Sequence, residues 1–509
     1  GCFCPLGGGR PAMTWELGCP QLGHEPASVA ACVWSTDAAS YRQLQEVAYI
    51  NHQGASALSV VALMLVYPLT VVLQHYVAVV AARLRSSSWG IRGRAIQVLG
   101  EIMAPTLPLT AAFSSPHLVV RSLAMHIVIL AVFAAISKHS FLEWLRFWAQ
   151  YRASQVARKA GTSSPSFTCI DSAGQRLRFV AEYRAVIMLT TCIAILAVDF
   201  PAIFPRTHAK TEEYGYSLMD LGTGSFVISS AIVSRVARGG GARGRRLSML
   251  LQQTFALWPV LALGLVRLVV LWGIDYHVPQ SEYGVHWNFF FTVAVLSLVA
   301  TAADLGPAAS AFAGALVLVM YQVFLSCFGG GEYILHAKRV GLFSANREGI
   351  LSCVGFLGIH WLAVALGSYI RSPRPPTERL KVLFSAAAAG LLMAALHDAA
   401  GIRTSRRMCN LPYAAFLLGI NALVLGLLAL IDFNWPRPRE PLPLVYGGVQ
   451  DSMLVTFLLG NLLTGAMNVW FQPLIIPAWA AFLVMLFYTL VLASPLALLR
   501  SRGIALKFW

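Results

Sequence analysis

The chain has 509 residues, of which 57% are hydrophobic and only 12% charged, with a mean hydropathy of +0.66. Soluble proteins carry roughly 25% charged residues, so the composition excludes a disordered polymer, argues against a large soluble enzyme and points to an all-α polytopic membrane protein. A net charge of +16 would suggest a nucleic-acid partner in a soluble chain; here it reads as Lys and Arg gathered in loops on one side of a bilayer, and no nucleic acid is expected.

Residues 1–40 are rich in Gly, Cys and Pro and contain no basic start followed by a long apolar core. They are expected to form a disordered extension rather than a cleaved signal peptide, and 41–509 reads as one membrane domain. A hydrocarbon core about 30 Å thick needs about 20 apolar residues in a helix. That ruler marks thirteen candidate spans, near 56–80, 96–115, 117–137, 183–204, 218–237, 249–273, 286–304, 308–328, 349–370, 382–398, 412–431, 452–471 and 474–497. Pro105 and Pro108 interrupt the second, and Gly460 with Asn461 interrupts the twelfth. The nine cysteines are scattered without metal-ligand spacing, so neither a disulfide framework nor a metal site is expected.

Loop charges set the orientation. Arg83, Arg85, Arg92 and Arg94 follow the first span, and the long loop 138–182 carries Lys138, Arg146, Arg152, Arg158, Lys159, Arg176 and Arg178. Further basic groups are Arg238, Arg243, Arg245 and Arg246, then Arg371, Arg374, Arg379 and Lys381, then Arg437 and Arg439, and last Arg500, Arg502 and Lys507. Thirteen spans place all of these on one side, the cytoplasmic one, with the N-terminus lumenal and the C-terminus cytoplasmic. Three loops on the other side are also basic: 205–217 with Arg206 and Lys210, 329–348 with Lys338, Arg339 and Arg347, and 399–411 with Arg403, Arg406 and Arg407. Solvated loop charges or a wrong topology would explain them. The functional alternative is an anionic-ligand site on the lumenal face, since Arg and Lys are natural phosphate partners.

The stretch 199–226 is unlike ordinary membrane sequence. It reads as a helix exit at Pro201 and Pro205, a charged hairpin, and a re-entry with Ser217 as N-cap and Asp220 in the first turn. Asp220 is either a functional carboxylate at a span end or a helix-dipole carboxylate. Gly222 and Gly224 would let a backbone or an acyl chain approach closely.

This stretch, with Asp199-Phe200, Phe204-Pro205-Arg206, Ala209-Lys210-Thr211-Glu212, Gly215, Ser217-Leu218-Met219-Asp220 and Gly222-Thr223-Gly224-Ser225-Phe226, resembles the signature of the PIG-W/Gwt family of inositol acyltransferases of glycosylphosphatidylinositol (GPI) anchor synthesis. It departs at Thr207, where a second Arg is common, and at Thr223, where Val is usual. The resemblance continues through Glu282-Tyr283-Gly284-Val285-His286-Trp287-Asn288-Phe289-Phe290, Ser344-Ala345-Asn346-Arg347-Glu348-Gly349 and Arg406-Arg407-Met408-Cys409-Asn410-Leu411-Pro412-Tyr413, in family order over about residues 41–497. It implies a multi-pass protein of the endoplasmic reticulum with about thirteen spans. The implied reaction moves a palmitoyl-type acyl group from acyl-CoA to the inositol ring of glucosaminyl-phosphatidylinositol. Acyl-CoA is a co-substrate, and no cofactor or metal is expected.

Acylating a secondary hydroxyl needs a general base, an oxyanion stabiliser and an anchor for the anionic head group. Under the resemblance Asp220 is the first choice as base and Lys210 the oxyanion or phosphate partner. Asp199 either orients Lys210 or is itself the base, and Glu212 is a further candidate. His286 is a proton shuttle or an interfacial anchor. Arg206 and Arg347 hold phosphates or snorkel to the interface; Arg407, Asn288 and Asn346 join them as substrate-side candidates. Ser217, Ser225 and Cys409 could serve as nucleophiles, but none has an adjacent base in the sequence. A lipid transporter or scramblase, or a non-catalytic subunit of a GPI-synthesis complex, is the competing class. Against a transporter stand the lack of an internal repeat and the clustering of ionisable residues at one membrane face rather than the midplane.

Overall fold

The computed structural model describes residues 52–86, 90–114, 177–240, 246–273, 282–434 and 442–506, together with residues 41, 43–45, 124 and 127. The 1–40 extension, the predicted span 117–137 and nearly all of the 138–182 loop lie outside the described residues. The described residues are helical, apart from loops and one isolated bridge between Ala55 and Tyr216.

In chain order the helices of seven or more residues among the described residues are α1 (Ala57–Met64), α2 (Val66–Ser86), α3 (Gly90–Ala112), α4 (Arg178–Ala197), α5 (Leu218–Ala231), α6 (Arg246–Ala256), α7 (Trp258–Gly273), α8 (Phe289–Ala303), α9 (Pro307–Cys327), α10 (Gly330–His336), α11 (Arg347–Arg371), α12 (Pro376–Ala399), α13 (Leu411–Asn434), α14 (Leu444–Asp451), α15 (Met453–Trp470) and α16 (Ala478–Ser501). Among the described residues, eight helices are long and apolar enough to cross a membrane, and nine if a pair bent by 42° counts as one span. The eight correspond to the predicted spans at 56–80, 183–204, 308–328, 349–370, 382–398, 412–431, 452–471 and 474–497. The bent pair, α6 and α7, occupies 249–273. It breaks at Leu257, two residues before Pro259, which has no N–H to continue the ladder. The spans at 96–115 and 286–304 hold shorter apolar helices, Val98–Ala112 and Phe289–Ala303. The 218–237 segment holds a helix of only 14 residues, capped at Ile232.

The expected interruptions do not interrupt. Helix α3 runs through both Pro105 and Pro108. Pro105 cannot donate to the carbonyl four residues back, Glu101 O, and Gln74 Nε2 from α2 lies 3.4 Å from that oxygen instead. Helix α15 likewise passes Gly460 and Asn461 unbroken. At the other prolines the break comes early: α4 ends at Ala197, ahead of Pro201.

Helix α4 is the centre of the bundle, buried along nearly its whole length and in contact with α5, α13, α14 and α15. Polar rungs tie it to its neighbours: Tyr183 OH donates to Asn421 Oδ1 (2.7 Å) on α13, and Tyr488 OH on α16 donates to Cys192 O (3.0 Å). Helices α12 and α13 cross at Gly390 and Gly419, where a Cβ on Gly390 would stand 2.7 Å from Gly419 Cα. This is the small-residue contact that packs helices in lipid. The segments before α5, α8, α11 and α13 meet at one end of the bundle, and this end carries the site.

Candidate active site

The re-entry into α5 folds as its residue types require. Ser217 is extended, and its Oγ accepts from the Asp220 N–H at 3.1 Å, closing the first turn. The Asp220 carboxylate faces inward, 2% exposed. It accepts from Thr211 Oγ1 at 2.7 Å and lies 3.3 Å from Thr211 N, so the hairpin folds back on its own helix start. Its Oδ1 receives Arg406 Nε at 2.9 Å, an ion pair across 186 residues of chain. Tyr413 OH donates to the Asp220 carbonyl at 2.7 Å. Ser405 Oγ donates to Glu213 O, and Gly215 N donates to Thr404 O at 2.9 Å. The 404–413 segment is thus stitched along the whole hairpin.

Lys210, at the hairpin's outer edge, is 42% exposed at its side chain and pairs with Glu282 at 2.6 Å. Burial works to raise the Glu282 carboxyl, but the Lys210 ammonium and the Arg406 guanidinium outweigh it and hold it at about 2. Burial also works to lower Arg406; Asp220 and Glu282 prevail and raise it. Burial, with Glu282 alongside, pushes Tyr283 up to about 12, and its OH is 2.9 Å from Thr223 Oγ1. Asp220, Arg406, Glu282 and Lys210 therefore form one electrostatic chain from core to surface. Within the hairpin, His208 lies 3.3 Å from Ser59 Oγ, and burial lowers its imidazole to about 4.

A neighbouring group centres on Glu348. Arg339, Arg347 and Arg407 all point at this fully buried carboxylate. Asn346 Oδ1 accepts from the backbone N–H of His286 (2.6 Å) and Trp287 (2.9 Å), pinning the 282–288 segment to the start of α11. Gly284 allows this approach: its φ is +105°, and a Cβ there would stand 2.5 Å from Asn346 Cα. Asn288 caps α8, accepting from Phe290 N at 3.0 Å, while its Nδ2 donates to Gly264 O at 3.1 Å.

The sequence-predicted residues divide into groups. Lys210 and Asp220 belong to the one network, and Arg347 and Arg407 belong to the Glu348 cluster. Asn288 and Asn346 hold backbone; the His286 side chain is exposed. Asp199, at the exit of α4, accepts from Asn468 Nδ2 at 2.9 Å, while the ion-pair partner of Lys210 is Glu282. Arg206 is half-buried and Glu212 exposed. The Ser225 hydroxyl is buried with no partner among the described residues. No room for an acyl chain opens at Gly224, where a Cβ would meet Leu417 Cδ2 at 2.0 Å; a Cβ at Gly222 would, among the described residues, meet Thr191 at 3.8 Å. The reading of the sequence gave no role to Glu282, Thr211 or Asn468. Glu282 stood inside a quoted motif, so its charge was the available signal; nothing pairs it with a lysine 72 residues away.

A family model described as GWT1 matches residues 41–499. An uncharacterized protein of Arabidopsis thaliana is 36% identical over 361 residues, covering 68% of this chain and 80% of that protein. The phosphatidylinositol-glycan biosynthesis class W protein of Dictyostelium discoideum is 32% identical over 388 residues, covering 68% and 78%. The GPI-anchored wall transfer protein 1 of Aspergillus oryzae is 30% identical over 510 residues, covering 92% and 99%.

Proposed function

This chain belongs to the GWT1 family, and we propose that it acts in GPI-anchor biosynthesis, moving a fatty acyl group from acyl-CoA to an inositol hydroxyl of glucosaminyl-phosphatidylinositol. The names of its relatives in Dictyostelium and Aspergillus support the pathway; the reaction and its setting at the lumenal face of the endoplasmic reticulum membrane rest on the sequence motifs. The observation that carries the reading is the network itself. Ion pairs bring the 199–226 hairpin, the 282–288 segment and the 404–413 segment to one end of the bundle, with Lys210 at its accessible edge.

Asp199 is the base in this scheme, and Asp220 is a positioning residue. The Asp220 oxygens are taken by Arg406 and Thr211, and Glu282 is held anionic by Lys210 and Arg406, which makes it a poor proton acceptor. Asp199 stands at the start of the hairpin that carries Lys210. It takes the inositol hydroxyl proton as the oxygen attacks the thioester carbonyl, and the Lys210 ammonium stabilises the resulting oxyanion. The C–S bond then breaks, the ester forms, and the proton passes from Asp199 to the departing thiolate, giving free coenzyme A.

The test is expression of wild type, Asp199→Asn, Lys210→Ala and Asp220→Asn in cells lacking their own inositol acyltransferase, scoring acylated lipid at matched protein levels. Asp199→Asn and Lys210→Ala should accumulate to normal levels without activity, while Asp220→Asn, which breaks the pair with Arg406, loses stability and activity together. Full activity in Asp199→Asn would remove it as base.

A further inference from the structure

Asn468 is an amide in the last turn of α15, a helix whose outer face is apolar: the next two residues, Val469 and Trp470, are 83% and 72% exposed. Its side chain is partly buried and turned the other way. Asn468 Nδ2 donates to Thr464 O, one turn back, at 3.1 Å and to Asp199 Oδ2 at 2.9 Å. A backbone carbonyl and a carboxylate can only accept, so the amide nitrogen rather than its oxygen must face both.

The register that brings the two residues together is set about two turns deeper. Helices α4 and α15 run side by side towards the end of the bundle that carries the site, and they touch closely at Cys192 and Gly460: a Cβ on Gly460 would stand 2.8 Å from Cys192 Sγ. Tyr488 OH on α16 ties down the same level, 3.0 Å from Cys192 O and 3.1 Å from Gly460 O. Thr464 carries the ladder upward, its Oγ1 donating to Gly460 O at 2.9 Å. Asp199 lies seven residues beyond Cys192, and Asn468 lies eight beyond Gly460. At about 1.5 Å per residue both chains climb about 10–12 Å and arrive at one height. The packing of α15 on α4 therefore delivers a donor to the carboxylate at the exit of α4.

We propose that Asn468 is a positioning residue for Asp199, an amide that α15 docks against one carboxylate oxygen to fix the direction in which the base faces the inositol hydroxyl. This deepens the proposed function and rests on it, since it takes Asp199 as the base. A donor on a carboxylate oxygen also favours the charged form, the one that accepts a proton. Asn468 acts through Asp199 and touches neither substrate. A base displaced by about 1 Å loses about a hundredfold in rate, so the effect belongs in turnover and not in substrate binding.

The test uses the purified full chain with labelled palmitoyl-CoA and glucosaminyl-phosphatidylinositol, measuring kcat, KM for each substrate and the thermal midpoint. Asn468→Leu and Asn468→Asp are both close to Asn in size, and neither presents an N–H to Asp199. Each should lower kcat about tenfold to a hundredfold, with both KM values within about twofold of wild type. Asn468→Gln keeps the donor on a longer arm and should fall between them and wild type. Wild-type kcat in both Asn468→Leu and Asn468→Asp overturns the proposal, as does a loss that follows the thermal midpoint alone or that Asn468→Gln does nothing to restore. Asp199→Asn, measured alongside, separates the two levels of the account. If it turns over like wild type, the base assignment fails and the role of Asn468 falls with it. If it is inactive while the Asn468 variants turn over normally, the base stands and only the positioning role is lost.

Discussion

Loss of Arg406 gives the sharpest test of how the hairpin is held. Arg406→Met keeps much of the side-chain length but strands the Asp220 carboxylate, 2% exposed, with the Thr211 hydroxyl and amide as its donors. Breaking a buried ion pair by removing one member costs about 3–5 kcal/mol, because the other charge is left uncompensated. Unfolding entropy of about 2.1 cal/mol/K per residue makes each kcal/mol worth about 1 °C in a chain of this length. The melting midpoint of Arg406→Met in detergent should therefore fall by about 3–5 °C at a fixed scan rate. In Asp220→Asn/Arg406→Met neither charge of the pair remains, the new amide can still accept from Thr211, and at least half of that loss should return. A double variant whose loss equals the sum of the two single losses would refute the coupling.

Gly284→Ala should yield no monodisperse protein, because φ of +105° and a 2.5 Å clash with Asn346 Cα leave no relaxed conformation, whereas Gly222→Ala, 3.8 Å from Thr191, should be recovered like wild type; size-exclusion chromatography after extraction decides between them. Burial holds His208 at about 4 in the folded chain, against about 6.5 unfolded. The unfolded chain then binds the extra proton first, so stability is full above pH 6.5 and falls as the pH drops from 6.5 towards 4; midpoints measured across that range should show a shallower fall in His208→Gln. Asn346→Ala removes the acceptor of two backbone N–H groups and should cost about 1–3 kcal/mol, while Asn346→Asp, which retains the acceptor, should lose less; thermal midpoints of the pair test this.

Local physics was legible along the chain and distant pairing was not. Ser217 and Asp220 could be read as cap and first-turn acid because both depend on neighbours three residues apart. Hydropathy located most of the long helices for the same reason. It overran at α5, because apolar residues continue past Ile232 while the helix does not. It also mistook Pro105 for a break, because the stand-in donor, Gln74, lies on another helix. The Asp220–Arg406 and Lys210–Glu282 pairs join residues 186 and 72 positions apart. No periodicity encodes such pairs, so the sequence shows the charges but not which of them are spent on each other. The Asp220–Arg406 pair is why the proposed mechanism takes Asp199 rather than Asp220 as its base.

The central claim is that this single chain performs acyl transfer. The direct measurement supplies the purified protein with labelled palmitoyl-CoA and glucosaminyl-phosphatidylinositol and resolves the lipid products. The account predicts label in an inositol ester, released by mild alkali, in wild type and its absence in Lys210→Ala. Wild type that binds both lipids yet forms no labelled ester would contradict it and leave the chain a transporter or a non-catalytic subunit.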